Sequence, residues 1–452
     1  MISSHRKWKG GANRPHKAGV NDRVPSTPRW RHPLALVIIG ALCGALQAAA
    51  QSPADTGVAS RDSLLIRLRR AEEALAAIRQ QLDEQSASAV TTASRLRVEL
   101  RGRVIVNAFS NDGRVNNVDV PQFVRSDTAA LLPQAGIGLA ARQTSLGLTV
   151  FADTVLGARF TGDVDVDFFG GQQPSSGGRT FPLIRLRTAR ATLRWSGAEL
   201  LVGQEMPLVA GVNPRGVASL GVPGFVAAGN LWLWLPQVRG TLIRGGDVQL
   251  LLQGAVLAPT SGDAAAAFDT DVDLAERTRR PFLESRVGLR WGEGATAGDI
   301  GCGGHLGWLK TLTGAPARSE AIACDAVIPL GARLELRGEA YSGRGLRGLG
   351  GGAISQNAGV SGAPPSTRAG WVQANARVAA RSFIGAGCGV DDPRDEDLLI
   401  SGRRLNTACA AHVLARESGP MFFGAEVRRL STRYAVGDFT NLHVNLAAGF
   451  EF

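Results

Sequence analysis

The chain has 452 residues and a formal net charge of +11, with 44% hydrophobic and 20% charged residues. Its length suggests more than one ordinary domain, yet all-β barrels of several hundred residues form single units, so length excludes neither. Within residues 1–32 eight cations (Arg6, Lys7, Lys9, Arg14, Lys17, Arg23, Arg29 and Arg31) face one acid, Asp22, and supply +7 of the +11; the basic balance belongs to this leader, and no nucleic-acid partner is expected.

An apolar run from Pro33 to Leu46 follows, then Gln47-Ala48-Ala49-Ala50. A basic lead, an apolar core and small residues at the end define a secretory signal peptide over 1–50, cleaved near Ala50. The run is shorter than the roughly 20 residues a spanning helix needs. Cys43 has no small residue before it, which argues against a lipid anchor. Nothing downstream approaches a transmembrane helix, so a mature chain in a membrane must cross it as a barrel.

Over 58–88 the period changes. Leu64, Leu68, Ala71, Leu75, Ile78 and Leu82 recur at alternating spacings of four and three, with charged residues between them and Ser60 or Asp62 placed as N-cap. This is a heptad seam, expected to form a short periplasmic coiled coil; a solitary helix against the barrel is the alternative. Ser86 to Ser94 is a Ser/Ala/Thr linker.

From residue 95 to 452 the period is two. Leu96, Val98, Leu100, Gly102, Val104, Val106 and Ala108 oppose Arg97, Glu99, Arg101, Arg103 and Asn107; Leu156, Ala158, Phe160, Val164, Val166 and Phe168 oppose Arg159, Thr161, Asp163, Asp165 and Asp167. Charge along one whole face would ruin a soluble core but suits a water-filled lumen. Sixteen such segments are counted, and short links such as Ser196-Gly197 and Gly245-Gly246 alternate with long ones. The reading is an all-β transmembrane antiparallel barrel of about sixteen strands in the outer membrane, with lipid around it. The last of them, Leu442 to Phe452, keeps its apolar face to the final aromatic residue. This strand resembles the carboxy-terminal signal of bacterial outer-membrane proteins, which implies recognition of Phe452 by the barrel-assembly machinery.

The third long link, 207–230, carries Val209, Val212, Val217, Leu220, Val222, Phe225 and Val226, several glycines and a single charge, Arg215. Such a loop is expected to fold inward as the constriction rather than lie exposed. Parity places Arg101, Arg103, Arg159, Arg185, Arg187 and Arg239 on the lumen face. Between Pro182 and Trp195 the parity slips, and a bulge near Thr188 would turn Arg185, Arg187, Arg190 and Arg194 inward together. With Arg215 these arginines are the candidate pore-lining residues for small anionic solutes, since guanidinium binds carboxylate and phosphate through paired hydrogen bonds. Asp163, Asp165, Asp167, Glu335 and Glu339 are available to neutralise them.

Cys302 and Cys324, and likewise Cys388 and Cys409, lie equally far from the middle of a loop on the apolar face; each pair stands either as a cross-strand disulfide or as small free residues. No cysteine spacing for a metal, no cofactor motif and no nucleophile motif around His305, His412 or His443 is present, so no enzyme is expected.

Ala141-Arg142-Gln143-Thr144-Ser145-Leu146-Gly147, Leu201-Val202-Gly203-Gln204-Glu205 and Pro236-Gln237-Val238-Arg239 resemble the early-strand signatures of DcaP-type trimeric porins, a group related to the phosphate-selective porins. The resemblance covers the helix and the first half of the barrel. It implies a homotrimer with an amino-terminal coiled coil that takes up small, often anionic solutes such as dicarboxylates. The chain departs from that pattern in holding only two Tyr, which leaves the aromatic girdle thin, and in using Arg almost wholly in place of Lys after the leader. The alternative function is structural, a barrel anchoring the coiled coil as a periplasmic spacer.

Overall fold

The computed structural model describes residues 90–91, 96–126, 135–170, 182–217, 221–262, 272–416 and 419–452. The signal peptide over 1–50 and the heptad helix over 58–88 lie outside the described residues.

The described strands form one continuous antiparallel sheet. β1 is Arg97–Asn111; β2 is a single stave in two pieces, Gly136–Ala140 and Ser145–Val155, both paired with β1. The rest follow in chain order: β3 Ala158–Gly170, β4 Leu183–Arg194, β5 Ala198–Glu205, β6 Leu235–Gly245, β7 Val248–Leu257 and β8 Phe282–Trp291. After them come β9 Gly298–Lys310, β10 Pro316–Leu330, β11 Leu334–Arg344, β12 Ser366–Arg377, β13 Phe383–Pro393, β14 Leu405–Arg416, β15 Met421–Tyr434 and β16 Gly437–Glu451. β16 pairs back onto β1, from His443 opposite Asn111 to Glu451 opposite Arg103, and so closes a sixteen-stave barrel. Val90–Thr91 adds only a short pairing with the start of β1. Closure leaves no strand edge in lipid with unpaired backbone groups.

The barrel is apolar outside and polar inside. Leu100, Ile322, Val372 and Leu446 are exposed, while Asn107, Asp167, Asp391 and Asn445 are buried. A soluble protein distributes these residues the other way round; lipid outside and water inside reverse the rule. The apolar rows therefore form because each strand alternates, and Gly102 sits beneath the Phe452 ring because any Cβ there would meet it at 2.4 Å.

Strand positions agree with the sequence reading to a few residues. The largest shift is at β6, expected from residue 229 and beginning at Leu235, because residues 229–234 belong to the inward loop. Strict alternation of link lengths does not hold. The link expected over 431–437 is a two-residue turn, Ala435-Val436, with Gly437 at φ +138° and Arg433 paired to Asp438 at 3.1 Å across it.

Both cysteine pairs stand directly opposite on neighbouring staves and form disulfides, Cys302–Cys324 between β9 and β10 and Cys388–Cys409 between β13 and β14. All four residues are exposed on the lipid face.

Candidate pore and its constriction

The link between Glu205 and Leu235 enters the lumen, as its apolar content required. Leu208, Val209, Val212, Val222, Phe225 and Leu231 are buried inside the barrel, each contributing roughly 1.5–3 kcal/mol. They pack on inward side chains such as Phe282, Tyr341 and Trp371 and on Leu346 and Leu349 of the loop after β11. The loop crosses to the far wall through polar ties. The Leu208 N–H donates to Glu284 on β8 at 2.6 Å, and the Arg215 N–H donates to Gln373 on β12 at 2.8 Å. The Val217 N–H donates to Glu426 on β15 at 3.1 Å, and the Gly221 N–H to Gln143 in the break of β2 at 2.8 Å. Gly229, at φ +102°, lies flat against Gly370 of β12; a Cβ there would stand 2.3 Å from the Gly370 carbonyl carbon. A second outer loop, after β1, also turns inward: Asp119 is buried against Arg142, and Asn406 donates to the carbonyls of Gln122 and Ala227, binding both loops to β14.

The predicted bulge on β4 is present. Asp165 pairs with Thr188 and Val166 with Leu186, leaving Arg187 as the extra residue. The four arginines do turn inward, but each meets an acid. Arg185 grips Asp167 with two bonds of 3.0 and 2.7 Å, and Arg187 stands 3.6 Å from the same carboxylate. Arg190 bridges Asp163 and Glu205, and Arg194 binds Glu199 at 2.8 Å. Arg101 pairs with Asp165 at 2.7 Å, Arg103 with Glu451, and Arg215 with Glu335 through two bonds of 3.1 Å.

Two of the expected pore residues escape this pairing. Arg239 donates to the Met206 carbonyl and to Gln237 at 3.0 Å, both neutral acceptors, and Arg159 forms no ion pair among the described residues. Arg239 lines two spaces, which share it and Arg190. One, of about 480 Å³, holds Arg159, Arg190, Arg194 and Arg239 against Asp163 and Glu199. The other, of about 440 Å³, lies between the inward loop at Met206–Leu208 and the wall, with Arg190, Arg239, Arg286 and Arg290 against Glu205, Asp299 and Asp325. Arg286 and Arg290 were missing from the expected set, although the alternation of β8 places Glu284, Arg286 and Arg290 on one face.

One arrangement with chemical potential was not foreseen. His305 on β9 holds Glu284 on β8 through Nδ1 at 2.9 Å and Ser319 on β10 through Nε2 at 2.9 Å. Acid, imidazole and hydroxyl in that order form the relay of nucleophilic hydrolases. Here Ser319 is 0% exposed, its hydroxyl donates to the Gly345 carbonyl at 2.8 Å, and Glu284 is also the acceptor for Leu208. The relay ties the wall to the inward loop and has no face open to a substrate. Among the described residues no cluster suited to a metal ion occurs.

A closed antiparallel barrel of this size, apolar outside and narrowed by an inward loop, is the architecture of an outer-membrane porin. No family model matches the sequence, and no curated protein matches it. Solved structures do: the outer membrane channel DcaP of Acinetobacter baumannii superposes with a TM-score of 0.64 at 18% identity, covering 80% of this chain and 99% of that one. An anion-selective porin from Comamonas acidovorans follows at 0.51 and 13%, covering 78% and 99%, and OprB of Pseudomonas putida at 0.50 and 7%, covering 78% and 94%. The fold fits a DcaP-type porin, and these neighbours are porins and channels, not enzymes.

Proposed function

We propose that the chain is a homotrimeric outer-membrane porin for passive diffusion of small polar solutes, with a preference for anions such as carboxylates. The observation that carries the preference is Arg239, a lumen guanidinium on the boundary of both spaces whose bonds go only to neutral acceptors. Selectivity follows the charge a solute meets at the narrowest section. Arginines already bound by Asp163 or Asp167 offer little of it, so the charge rests on Arg239 and Arg159 rather than on the whole arginine row. The resemblance to DcaP-type porins supports the same solute class.

Zero-current potentials of the reconstituted protein across a salt gradient test this. The native protein gives an anion-selective potential, and Arg159→Gln with Arg239→Gln moves it toward cations. Arg185→Gln with Arg187→Gln also moves it toward cations, because it leaves the Asp167 carboxylate without the two guanidinium groups that hold it. Absence of ion current from correctly assembled barrels overturns the channel, and an unmoved potential in the Arg159/Arg239 variant removes these two residues from the selectivity.

A further inference from the structure

The outer wall is not uniform around the barrel. At the outer ends of β2 to β7 the outward positions are Ile137, Leu139, Phe168, Ile184, Val202, Val238 and Val256, with no charge among them. At the same height on β8 to β12 four arginines point outward. Arg280, just before β8, lies over the Trp308 ring of β9 at 5.4 Å. Trp308 stands opposite Arg318 on β10. Glu320 stands opposite Arg344 on β11 and is shared by the two, at 3.9 Å from Arg318 and 2.5 Å from Arg344. Arg368 on β12 faces Ser342 on one side and Asp392 on the other, and it forms no hydrogen bond or ion pair among the described residues. Arg318 and Arg344 keep 59% and 44% of their side-chain surface exposed.

The height of this row identifies its surroundings. Two residues inward from Glu320 comes Ile322, 71% exposed, and four inward from Arg368 comes Val372, 58% exposed. At about 3.4 Å per residue, the arginines begin roughly 7–14 Å along the strand outside the first fully apolar positions. That is the headgroup layer, where an aromatic ring such as Trp308 also settles. An outward arginine costs roughly 2–4 kcal/mol at the bilayer midplane and almost nothing at its edge. Four guanidinium groups against two carboxylates, Glu320 and Asp392, leave a positive surface that can bind phosphate oxygens in pairs.

We propose that the outer rim of β8–β12 is a binding surface for the phosphorylated glycolipid headgroups of the outer leaflet, with Arg318, Arg344 and Arg368 as phosphate ligands and Arg280 on Trp308 at its edge. The uncharged rim of β2–β7 lacks this surface. None of the four arginines faces the pore, so the site is separate from solute passage.

The test uses the full-length, detergent-solubilised protein and bisphosphorylated lipid A, followed by native mass spectrometry and by competition titration. The unmutated protein retains bisphosphorylated lipid A and binds the enzymatically dephosphorylated form far more weakly. At about fivefold per surface arginine, Arg318→Gln, Arg344→Gln and Arg368→Gln together weaken binding on the order of a hundredfold, while heat-modifiable migration and unit conductance stay unchanged. Replacing the same three by Lys retains most of the binding. Equal binding of phosphorylated and dephosphorylated lipid overturns the proposal without any variant, should the triple variant fail to assemble. Undiminished binding by an assembled triple variant overturns it as well, and so does displacement of the lipid by inorganic phosphate at equal phosphate concentration.

Discussion

Replacing Glu426 by Ala tests how the constriction is held. Glu426 is 3% exposed; one carboxylate oxygen accepts the Val217 N–H of the inward loop at 3.1 Å and the other binds Arg428 at 2.5 Å. Arg428 is equally buried, and its other contact is the Pro121 carbonyl of the loop after β1, at 3.1 Å. Glu426→Ala therefore strands a guanidinium inside the barrel beside one backbone acceptor. Removing one partner of a buried pair costs about 3–5 kcal/mol, which multiplies the population of an arrangement that hydrates Arg428 by between about a hundredfold and a few thousandfold. The barrel itself has all its ladder bonds, so the change is local: the stretch around Gly216 and Val217 lifts from β15. Single-channel recordings in planar bilayers should show a larger mean conductance and more frequent transitions between levels, with heat-modifiable migration retained. Glu426→Gln keeps an acceptor for Val217 and should fall between the two. A Glu426→Ala channel with native conductance and native noise would refute the idea that this ion pair holds the loop.

Each disulfide closes a segment of about twenty residues, Cys302 and Cys324 being 22 apart and Cys388 and Cys409 21; in the chain-entropy account each contributes about 3 kcal/mol, so the Cys302→Ser/Cys324→Ser variant should unfold from lipid bilayers at lower urea concentration with unaltered conductance. Asp273, in the loop after β7, would be raised by burial. Hydrogen bonds from the Ser261 N–H and hydroxyl and from the Ala275 and Glu276 N–H groups outweigh that and hold its carboxyl below the ordinary value. A lowered folded value stabilises the loop above the ordinary carboxylate range, near pH 4, and the stabilisation disappears as pH falls through the lower value. Hydrogen exchange at 272–278 should therefore lose protection in acid, and Asp273→Asn should lack that acid step. Deleting residues 58–88 should abolish trimers on native gels if the heptad helix assembles as a coiled coil; trimers that persist would leave the helix to contact a different partner.

The fold was legible because a strand between lipid and water must alternate, and the charged face of Leu96 to Phe109, with the apolar face of Leu442 to Phe452 kept to the last residue, suits a barrel in lipid better than a soluble sandwich. The inward loop was legible for a related reason, since seven large apolar residues around one charge have no place at an exposed tip. The state of the arginines was less so. Whether Arg185 meets Asp167 or a solute depends on register across β3 and β4 and on which residue is bulged, and Arg187 rather than Thr188 is the extra one. His305 and Ser319 lie 14 residues apart, and only the β9–β10 ladder brings them together. The Ala435-Val436 turn carried none of the residues that mark tight hairpins ahead of Gly437, so its two-residue length was hidden.

The stretch Ala141-Arg142-Gln143-Thr144, which carried part of the family resemblance, turns out to be the interruption of β2. Because the ladder stops there, two consecutive side chains are buried rather than alternating: Arg142 takes Asp119 of the first outer loop, and Gln143 takes Gly221 of the constriction loop. The exterior of the protein and its throat are thus geared through this four-residue stop, beside the ties of both loops to Asn406. Pulling on the first loop from outside the cell loads the throat, and a change in that loop's sequence can retune the channel without altering any residue that a solute touches.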